Sequence, residues 1–257
     1  MWNRITLAFA VVLIGVPALT APARADEQTG KPFVLVVGID QYADSQIKPR
    51  KHAEADAKAV YDLFVSKESL GVQKDHVKLL LGSGPAKGYP AEKATRANIL
   101  AALRWLEKSA KKDDLVVVAM FGNGGSIGER TRYFAVDSTF KNRAKDAIAS
   151  AEIEQIIDKL PSQRFAAFID VDFRGFDPGK EEILALDTSK LYQEFLSQGD
   201  ETKDPSPSRV VFLANTTTKP SLDLEKHGVF ATALLEGLRG KADNFGYEAD
   251  GNITVSE

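Results

Sequence analysis

Two aspartates, Asp170 and Asp172, lie at the end of an apolar run at residues 165–171. An uninterrupted run of apolar, strand-forming residues is typical of a buried parallel strand. A second such run, residues 114–121, leads directly into Gly122-Asn123-Gly124-Gly125. Because ligands and catalytic groups in open α/β sheets lie at the carboxyl ends of strands, we predict that these two strand ends face each other across one crevice.

Several common catalytic and cofactor motifs are missing from the sequence. There is no Walker lysine motif and no Gly-x-Ser-x-Gly, and the glycines after residue 121 do not have dinucleotide-binding spacing. The three histidines, His52, His76 and His227, are scattered without the spacing of metal ligands. The sequence has no cysteine, which excludes disulfides, thiol chemistry and thiolate metal sites. A standard nucleotide enzyme or hydrolase is therefore not indicated.

Residues 1–25 have the pattern of a cleavable secretory signal. Arg4 supplies a positive charge, residues 5–19 are apolar but short for a membrane span, and Ala23-Arg24-Ala25 fits a cleavage site. We therefore expect an exported protein, periplasmic or secreted, whose mature chain begins near Asp26 and has no membrane span. The alternative is an uncleaved membrane anchor.

The remaining composition fits one large α/β domain, because 44% of the 257 residues are hydrophobic and 27% are charged. Without Arg4 and Arg24, 31 basic and 36 acidic side chains remain, which gives a net charge of about −5. Such a chain has no basic surface for nucleic acid, so nucleic-acid binding is not expected.

Strand and helix patterns alternate along residues 26–257. The apolar patterns predict strands at residues 33–39, 76–81, 114–121, 133–136, 165–171, 209–214 and 252–255. They predict helices at residues 52–65, from Thr95 through a stripe at Ile99, Leu103 and Leu106, at residues 149–160, around 191–196, and at 229–238. The alternation predicts an α/β fold in which helices cover both faces of a mainly parallel sheet.

Short segments with a recognisable order and spacing run through this pattern. They are Val37-Gly38-Ile39 with Tyr42, Ala55-Asp56-Ala57, Ala94-Thr95, Phe121-Gly122-Asn123-Gly124, Phe134-Ala135-Val136-Asp137, Asp170-Val171-Asp172-Phe173-Arg174-Gly175, His227-Gly228-Val229-Phe230 and Leu234-Leu235-Glu236-Gly237-Leu238. Together they resemble the caspase and metacaspase superfamily, specifically its bacterial members, from Phe33 to the last residue. The resemblance implies a caspase-like three-layer sandwich around a mainly parallel six-stranded sheet.

The resemblance also implies catalytic positions, which this sequence fills with other residues. Peptidases of the superfamily carry a histidine in Gly-His-Gly and a cysteine in Asp-x-Cys-x-x-Gly, and the matching positions here are Asn123 and Asp172. Peptide hydrolysis of this type needs a thiolate nucleophile and an imidazole that transfers the proton. Asparagine does not titrate near neutral pH, and a carboxylate attacks amides poorly. We therefore expect no functional catalytic residue and interpret the domain as a pseudoprotease.

Three alternatives to a pseudoprotease stay open. Family membership alone suggests a cysteine-type endopeptidase. Ser126 or one of the threonines at residues 216–218 is conceivable as a replacement nucleophile, although no histidine is close in sequence. The third alternative is a structural or interaction domain of a larger envelope protein.

The recognition side of the family site is retained. In metacaspases, acids at the positions matching Asp56 and Asp170 help to form a pocket for a basic substrate residue, and Asp172 adds a third carboxylate. We expect these three aspartates to bind a basic peptide or protein partner. The alternatives are a solvated helix acid for Asp56, a loop-ordering acid for Asp170, and a relaxed former catalytic position for Asp172.

Two further stretches need interpretation. Residues 176–208 match the processed linker of caspases and are interpreted as a flexible surface loop. The segment from Asp250 to Glu257 resembles the second half of a calcium loop, but Gly246 stands where the first aspartate is required, so a simple turn is preferred and no cofactor is expected. Related sequences continue into another helix, so the sequence is interpreted as a fragment.

Overall fold

The computed structural model describes residues 30–128, 130–181, 187–196, 208–215 and 221–244. The strands are β1 (Pro32–Gly38), β2 (Val77–Leu81), β3 (Ala91–Lys93), β4 (Leu115–Ile127), β5 (Arg130–Tyr133), β6 (Ile148–Ala149), β7 (Arg164–Asp172) and β8 (Ser208–Leu213). The helices are α1 (Ala53–Val65), α2 (Arg96–Ser109), α3 (Arg143–Asp146), α4 (Ser150–Ile157), α5 (Thr188–Leu196) and α6 (Val229–Glu236).

A parallel sheet organises these elements. Its strands lie in the order β3-β2-β1-β4-β7-β8, and every neighbouring pair in that order is parallel. The carboxyl end of β4 continues into an antiparallel ladder with β5 and β6. The predicted six parallel strands are therefore present among the described residues, extended by two short antiparallel strands.

Each face of the sheet has its own apolar core, as alternating side chains of a strand require. Leu35 and Val37 of β1 belong to one core, which α2, α4 and α5 cover. Val34 and Val36 belong to the other core, which α1 and α6 cover. The predicted three-layer arrangement is confirmed.

Strand β4 is longer than the sequence pattern predicts. The apolar run ends at Phe121, but the strand continues to Ile127 because its glycines allow close pairing. A Cβ on Gly124 would lie 2.6 Å from the Arg132 carbonyl oxygen and 2.7 Å from the Phe173 ring. The predicted hairpin arm at residues 133–136 lies earlier, at β5, and ends at Tyr133. The short strands β3 and β6 have no clear sequence signal.

The stretch at residues 176–208 contains more than a surface loop. Helix α5 packs against α4, and Leu191 and Phe195 are fully buried. The predicted last strand at residues 252–255, the calcium-like segment and the predicted signal lie outside the described residues. Within the described part of the chain, no helix is both long and apolar enough to cross a membrane.

Candidate functional site

Asn123 and Asp172 are partners in the parallel ladder between β4 and β7. Both lie at the carboxyl edge of the sheet, where Asp170 pairs with Phe121 two positions earlier. The two strand ends therefore meet, as the sequence predicts, and bring together three of the polar residues singled out there.

The Asn123 side chain has a structural hydrogen-bond pattern. It is buried, and its Nδ2 donates to the carbonyl oxygens of Lys48 at 2.7 Å and Gly175 at 3.3 Å. Its backbone N–H donates to the Tyr42 hydroxyl at 2.6 Å. The amide thus joins the β1–α1 loop to the loop after β7. Both donor hydrogens are used, and an amide offers no titratable nitrogen near neutral pH.

Asp170 is completely buried and forms an ion pair within the chain. Its Oδ1 accepts from Arg50 Nη2 at 2.6 Å and from the Ser221 hydroxyl at 2.7 Å. Arg50 Nη1 also donates to the carbonyl oxygens of Gly122 and Asp170, at 2.7 and 2.6 Å. The second carboxylate oxygen, Oδ2, is buried and has no hydrogen-bond donor in the described part of the chain. Only one of the two Asp170 carboxylate oxygens therefore accepts hydrogen bonds from described residues. The cation that contacts it, Arg50, belongs to the same chain.

Asp56 is buried in α1, so its interpretation as a solvated helix acid is wrong. Its Oδ1 lies 2.7 Å from His227 Nδ1, and the Gly228 N–H donates to Oδ1 and Oδ2 at 3.3 and 3.1 Å. This geometry requires the proton on Nδ1 when the carboxylate is ionised. Burial raises the pKa of Asp56, although the hydrogen bonds from His227 and Gly228 act in the opposite direction.

Asp172 is half-buried at the carboxyl edge of the sheet. Its Oδ1 accepts from the Arg174 backbone N–H at 3.0 Å. Burial raises the pKa of Asp172, against the lowering influence of that N–H and of the Arg50 charge. Asp170 adds a smaller upward contribution. The ionised form of Asp172 therefore receives less stabilisation here than in water.

Gly228 lies where Asp56 and Asp170 converge. A Cβ at this glycine would be 3.1 Å from Asp56 Oδ2 and 3.5 Å from Asp170 Oδ2. Gly228 belongs to a hairpin in which Val229 N–H donates to the Leu222 carbonyl and Leu224 N–H to the His227 carbonyl. Leu222, Leu224 and Val229 are 74%, 51% and 41% exposed. We call residues 221–229 the site hairpin, which places an apolar surface beside the acidic residues.

A fourth acid, Asp40, follows β1 at the same edge. Its Oδ1 accepts from the Glu54 backbone N–H at 2.9 Å, and burial raises its pKa. Sequence reasoning missed Asp40, Arg50 and the contact of His227 with Asp56. The position of Asp40 after an apolar run was a usable signal, whereas nothing distinguishes Arg50 from the neighbouring Lys48 and Lys51.

The other candidate groups do not assemble into a catalytic centre among the described residues. Ser126 is buried in the β4–β5 ladder opposite Thr131, and residues 216–218 lie outside the described ranges. His76 stacks on Phe33, away from His227. Within the described ranges, no cluster of histidine, aspartate or glutamate side chains has the arrangement of a metal site.

Comparison with models of known protein families identifies the family of this chain. The family model of the caspase domain matches residues 31–249. The chain belongs to the caspase domain family. No curated protein matches the sequence of this caspase domain.

Two solved structures share the fold of this caspase domain. Caspase-1 from Spodoptera frugiperda is 13% identical, with a TM-score of 0.51 over 90% of this chain and 77% of that one. A structural-genomics protein from Geobacter sulfurreducens is 16% identical, with a TM-score of 0.51 over 80% of this chain and 81% of that one. At these identities the comparison supports the common fold alone.

Proposed function

We propose that this caspase domain does not hydrolyse peptides and acts by binding a basic, partly apolar peptide segment at the carboxyl edge of its sheet. The observation that carries the proposal is the pair Asn123 and Asp172 at the two strand ends. The Asn123 amide is held by two backbone carbonyls, and the carboxylate of Asp172 lies opposite. Neither residue supplies the imidazole or the thiolate that a caspase-type reaction needs.

The acidic residues of the crevice support binding of a cation. The pKa values of Asp56 and Asp172 are raised by burial, so their ionised forms lack part of the stabilisation that water would give. Asp170 Oδ2 has no donor in the described part of the chain, although Arg50 neutralises Oδ1. A positively charged group placed against the half-buried Asp172 would supply a hydrogen bond and a charge that favour these ionised carboxylates.

The site hairpin supports a partner with an apolar side chain next to the basic one. Leu222, Leu224 and Val229 are exposed beside Asp56 and Asp170, and exposed apolar side chains that lie together mark interaction surfaces. Arg50 also determines which carboxylate the incoming cation can contact. Because Asp170 is completely buried and already pairs with Arg50, the incoming cation pairs with the half-buried Asp172 rather than replacing Arg50.

An amidase assay tests the absence of catalysis. Purified mature protein is incubated with fluorogenic peptides that end in Arg or Lys, with and without calcium, and we expect no turnover above buffer. Turnover that disappears in Asp172→Ala would establish the alternative, a peptidase that uses an unusual nucleophile.

Calorimetry tests the binding. We expect a short peptide with one Arg and a neighbouring Leu to bind more tightly than its norleucine counterpart, by about 1–3 kcal/mol for a charge-assisted contact. Asp172→Asn should remove that difference. Asp75→Asn, which makes the same charge change on an exposed residue just before β2, should retain it. Equal affinity for the Arg and norleucine peptides in the wild-type protein would exclude the basic-segment proposal.

We also propose export, on the basis of the signal pattern at residues 1–25. Mass spectrometry of the protein from the periplasm or medium should give a mature chain that begins near Asp26. A membrane-bound chain that retains residues 1–25 would instead indicate an uncleaved anchor.

A further inference from the structure

Glu194 is a buried carboxyl group outside the crevice. It lies in α5 and is 2% exposed. Its Oε1 accepts from the Thr131 hydroxyl and its Oε2 from the Tyr133 hydroxyl at 2.5 Å. These donors are neutral hydroxyl groups on β5 rather than a cation.

The electrostatic environment favours the protonated form of Glu194. Burial raises its pKa from 4.5 to about 7, and the hydroxyls of Thr131 and Tyr133 only partly oppose that shift. The charged and titratable groups that face it are Glu154 on α4, Asp158 directly after α4, Arg130, Arg132 and Tyr133 on β5, and Lys190 on α5 itself. Glu154 raises the pKa of Glu194 further.

The arginines nearby pair with or donate hydrogen bonds to groups other than Glu194, although the charges of Arg132 and Glu194 attract each other. Arg130 pairs with Glu154 at 3.7 Å, and Arg132 Nη1 donates to the Thr131 carbonyl. A cavity of about 430 Å³, lined by residues of α4, α5 and β5, adjoins Glu194. This cavity gives protons a route to the buried carboxyl.

Glu194 lies on the face by which α5 is attached to the domain. Leu191, Glu194 and Phe195 are three and four residues apart, so their side chains share one side of the helix. Leu191 and Phe195 are fully buried in the core that α2 and α4 also cover. Docking of α5 therefore always carries the carboxyl of Glu194 into the interior.

We propose that Glu194 makes α5 a proton-controlled latch, a helix that is fastened to the domain when this carboxyl is protonated and loosened when it ionises. The stabilisation is fully present below pH 4.5, the ordinary pKa of the carboxyl when the helix is released. It is lost as the pH rises through about 7, the pKa in the docked state. Export into an acidic medium would hold the latch closed.

Helix α5 and Glu194 contact aromatic residues that lie next to the candidate site. Tyr133, which donates to Glu194, packs edge-on against Phe195 and Phe173, with ring centroids 6.1 and 5.5 Å apart. Phe173 directly follows Asp172 in the chain. Release of α5 would thus remove Phe195 from the aromatic cluster that contains Phe173, next to Asp172.

Hydrogen–deuterium exchange tests the latch. After correction for the intrinsic pH dependence of exchange, the protection of α5 should fall at least about tenfold between pH 5 and pH 8. Helix α2, whose buried side chains are all apolar, is the internal control and should change less. In Glu194→Gln the protection of α5 should no longer depend on pH, whereas Glu154→Gln should keep a pH dependence. Equal pH dependence of α5 and α2, or of wild type and Glu194→Gln, would overturn the proposal.

A second measurement serves if Glu194→Gln does not fold. Carbon-13 NMR of the side-chain carboxyl groups in the wild-type protein follows the ionisation of Glu194 directly. Titration near pH 7 together with loss of α5 amide protection over the same range supports the latch. Titration near the ordinary value of 4.5 contradicts it.

Discussion

Asn123 and Asp172 are ladder partners at the ends of two adjacent parallel strands, but only Asp172 can exchange a proton with the solvent. The Asn123 amide instead fastens two loops by donating to the carbonyls of Lys48 and Gly175. Asn123 therefore contributes hydrogen bonds and Asp172 contributes a titratable charge. Substitution of each residue tests the two contributions separately.

Asn123→Ala should destabilise the domain by about 2 kcal/mol, because the buried Asn123 amide loses its hydrogen bonds to the Lys48 and Gly175 carbonyls. The free energy of urea unfolding measures the effect. Asn98→Ala is the matched control, since the Asn98 amide donates to the single, exposed carbonyl of Lys93 and its loss should cost less than about 1 kcal/mol. Equal losses in the two variants would show that the Asn123 contacts contribute nothing special.

Removing Arg50 should be much more damaging than removing a comparable surface arginine. Arg50→Ala leaves the fully buried Asp170 without its cation, which typically costs about 3–5 kcal/mol. Arg96→Ala, which breaks the partly exposed pair with Glu152 and a hydrogen bond to the Ala147 carbonyl, should cost less, because no fully buried charge is left behind. In Arg50→Ala combined with Asp170→Asn, the loss should be smaller than the sum of the losses in Arg50→Ala and Asp170→Asn alone. Additive losses would contradict a direct energetic coupling.

The raised pKa of Asp172 gives a signed pH dependence. The folded state binds the Asp172 proton more tightly than the unfolded chain does. The contribution of Asp172 to stability is therefore fully present below pH 3.8, the ordinary pKa of the group, and decreases as the pH rises through its folded-state pKa. Asp172→Asn should therefore reduce the loss of thermal stability between pH 4 and pH 8. Tm measurements across this range, with Asp75→Asn as a control for net charge, check it. A steeper loss in Asp172→Asn would reverse the assigned sign.

Gly175→Ala should destabilise the protein strongly, because the new Cβ would lie 2.3–2.7 Å from atoms of the Asn123 side chain. The clash forces apart the contact that holds the loop after β7, and we expect a loss of more than about 2 kcal/mol. Gly237→Ala is the control: its new Cβ would lie 3.8 Å from the Ala242 Cβ, and its backbone is helical. That variant should be neutral or more stable by about 0.5–1 kcal/mol. Thermal unfolding of both variants distinguishes the two cases.

Much of the fold follows from the sequence because apolar runs specify buried strands. The runs at residues 33–39 and 165–171 each lie within two residues of the strand ends in the structure, and Thr95 caps α2 by accepting from the Asn98 N–H. The length of β4 was not predictable in the same way. Its end after Phe121 is rich in glycine and has no apolar run, and residues 124–127 form a strand because β5 pairs with them.

The candidate site was predictable at the strand ends and less so elsewhere. Asp170 and Asp172 were identified from their position after an apolar run, whereas the cation that contacts Asp170 comes from a loop 120 residues earlier. Single-sequence patterns report neighbours along the chain, so they do not reveal such a contact. The burial of Asp56 likewise depends on the site hairpin, which reaches α1 from 171 residues away.

The guanidinium of Arg50 also has a consequence for the order of folding. It joins points 72 and 120 residues apart, so both long loops must close before its hydrogen bonds can form. We expect these bonds to be absent from the rate-limiting transition state and to form late, after β1, β4 and β7 have aligned. Weakening them with Arg50→Lys would then accelerate unfolding while leaving the folding rate nearly unchanged, as chevron kinetics can measure. In that case Arg50 would determine the unfolding rate of the domain, and so the lifetime of the folded carboxyl edge, rather than the folding rate.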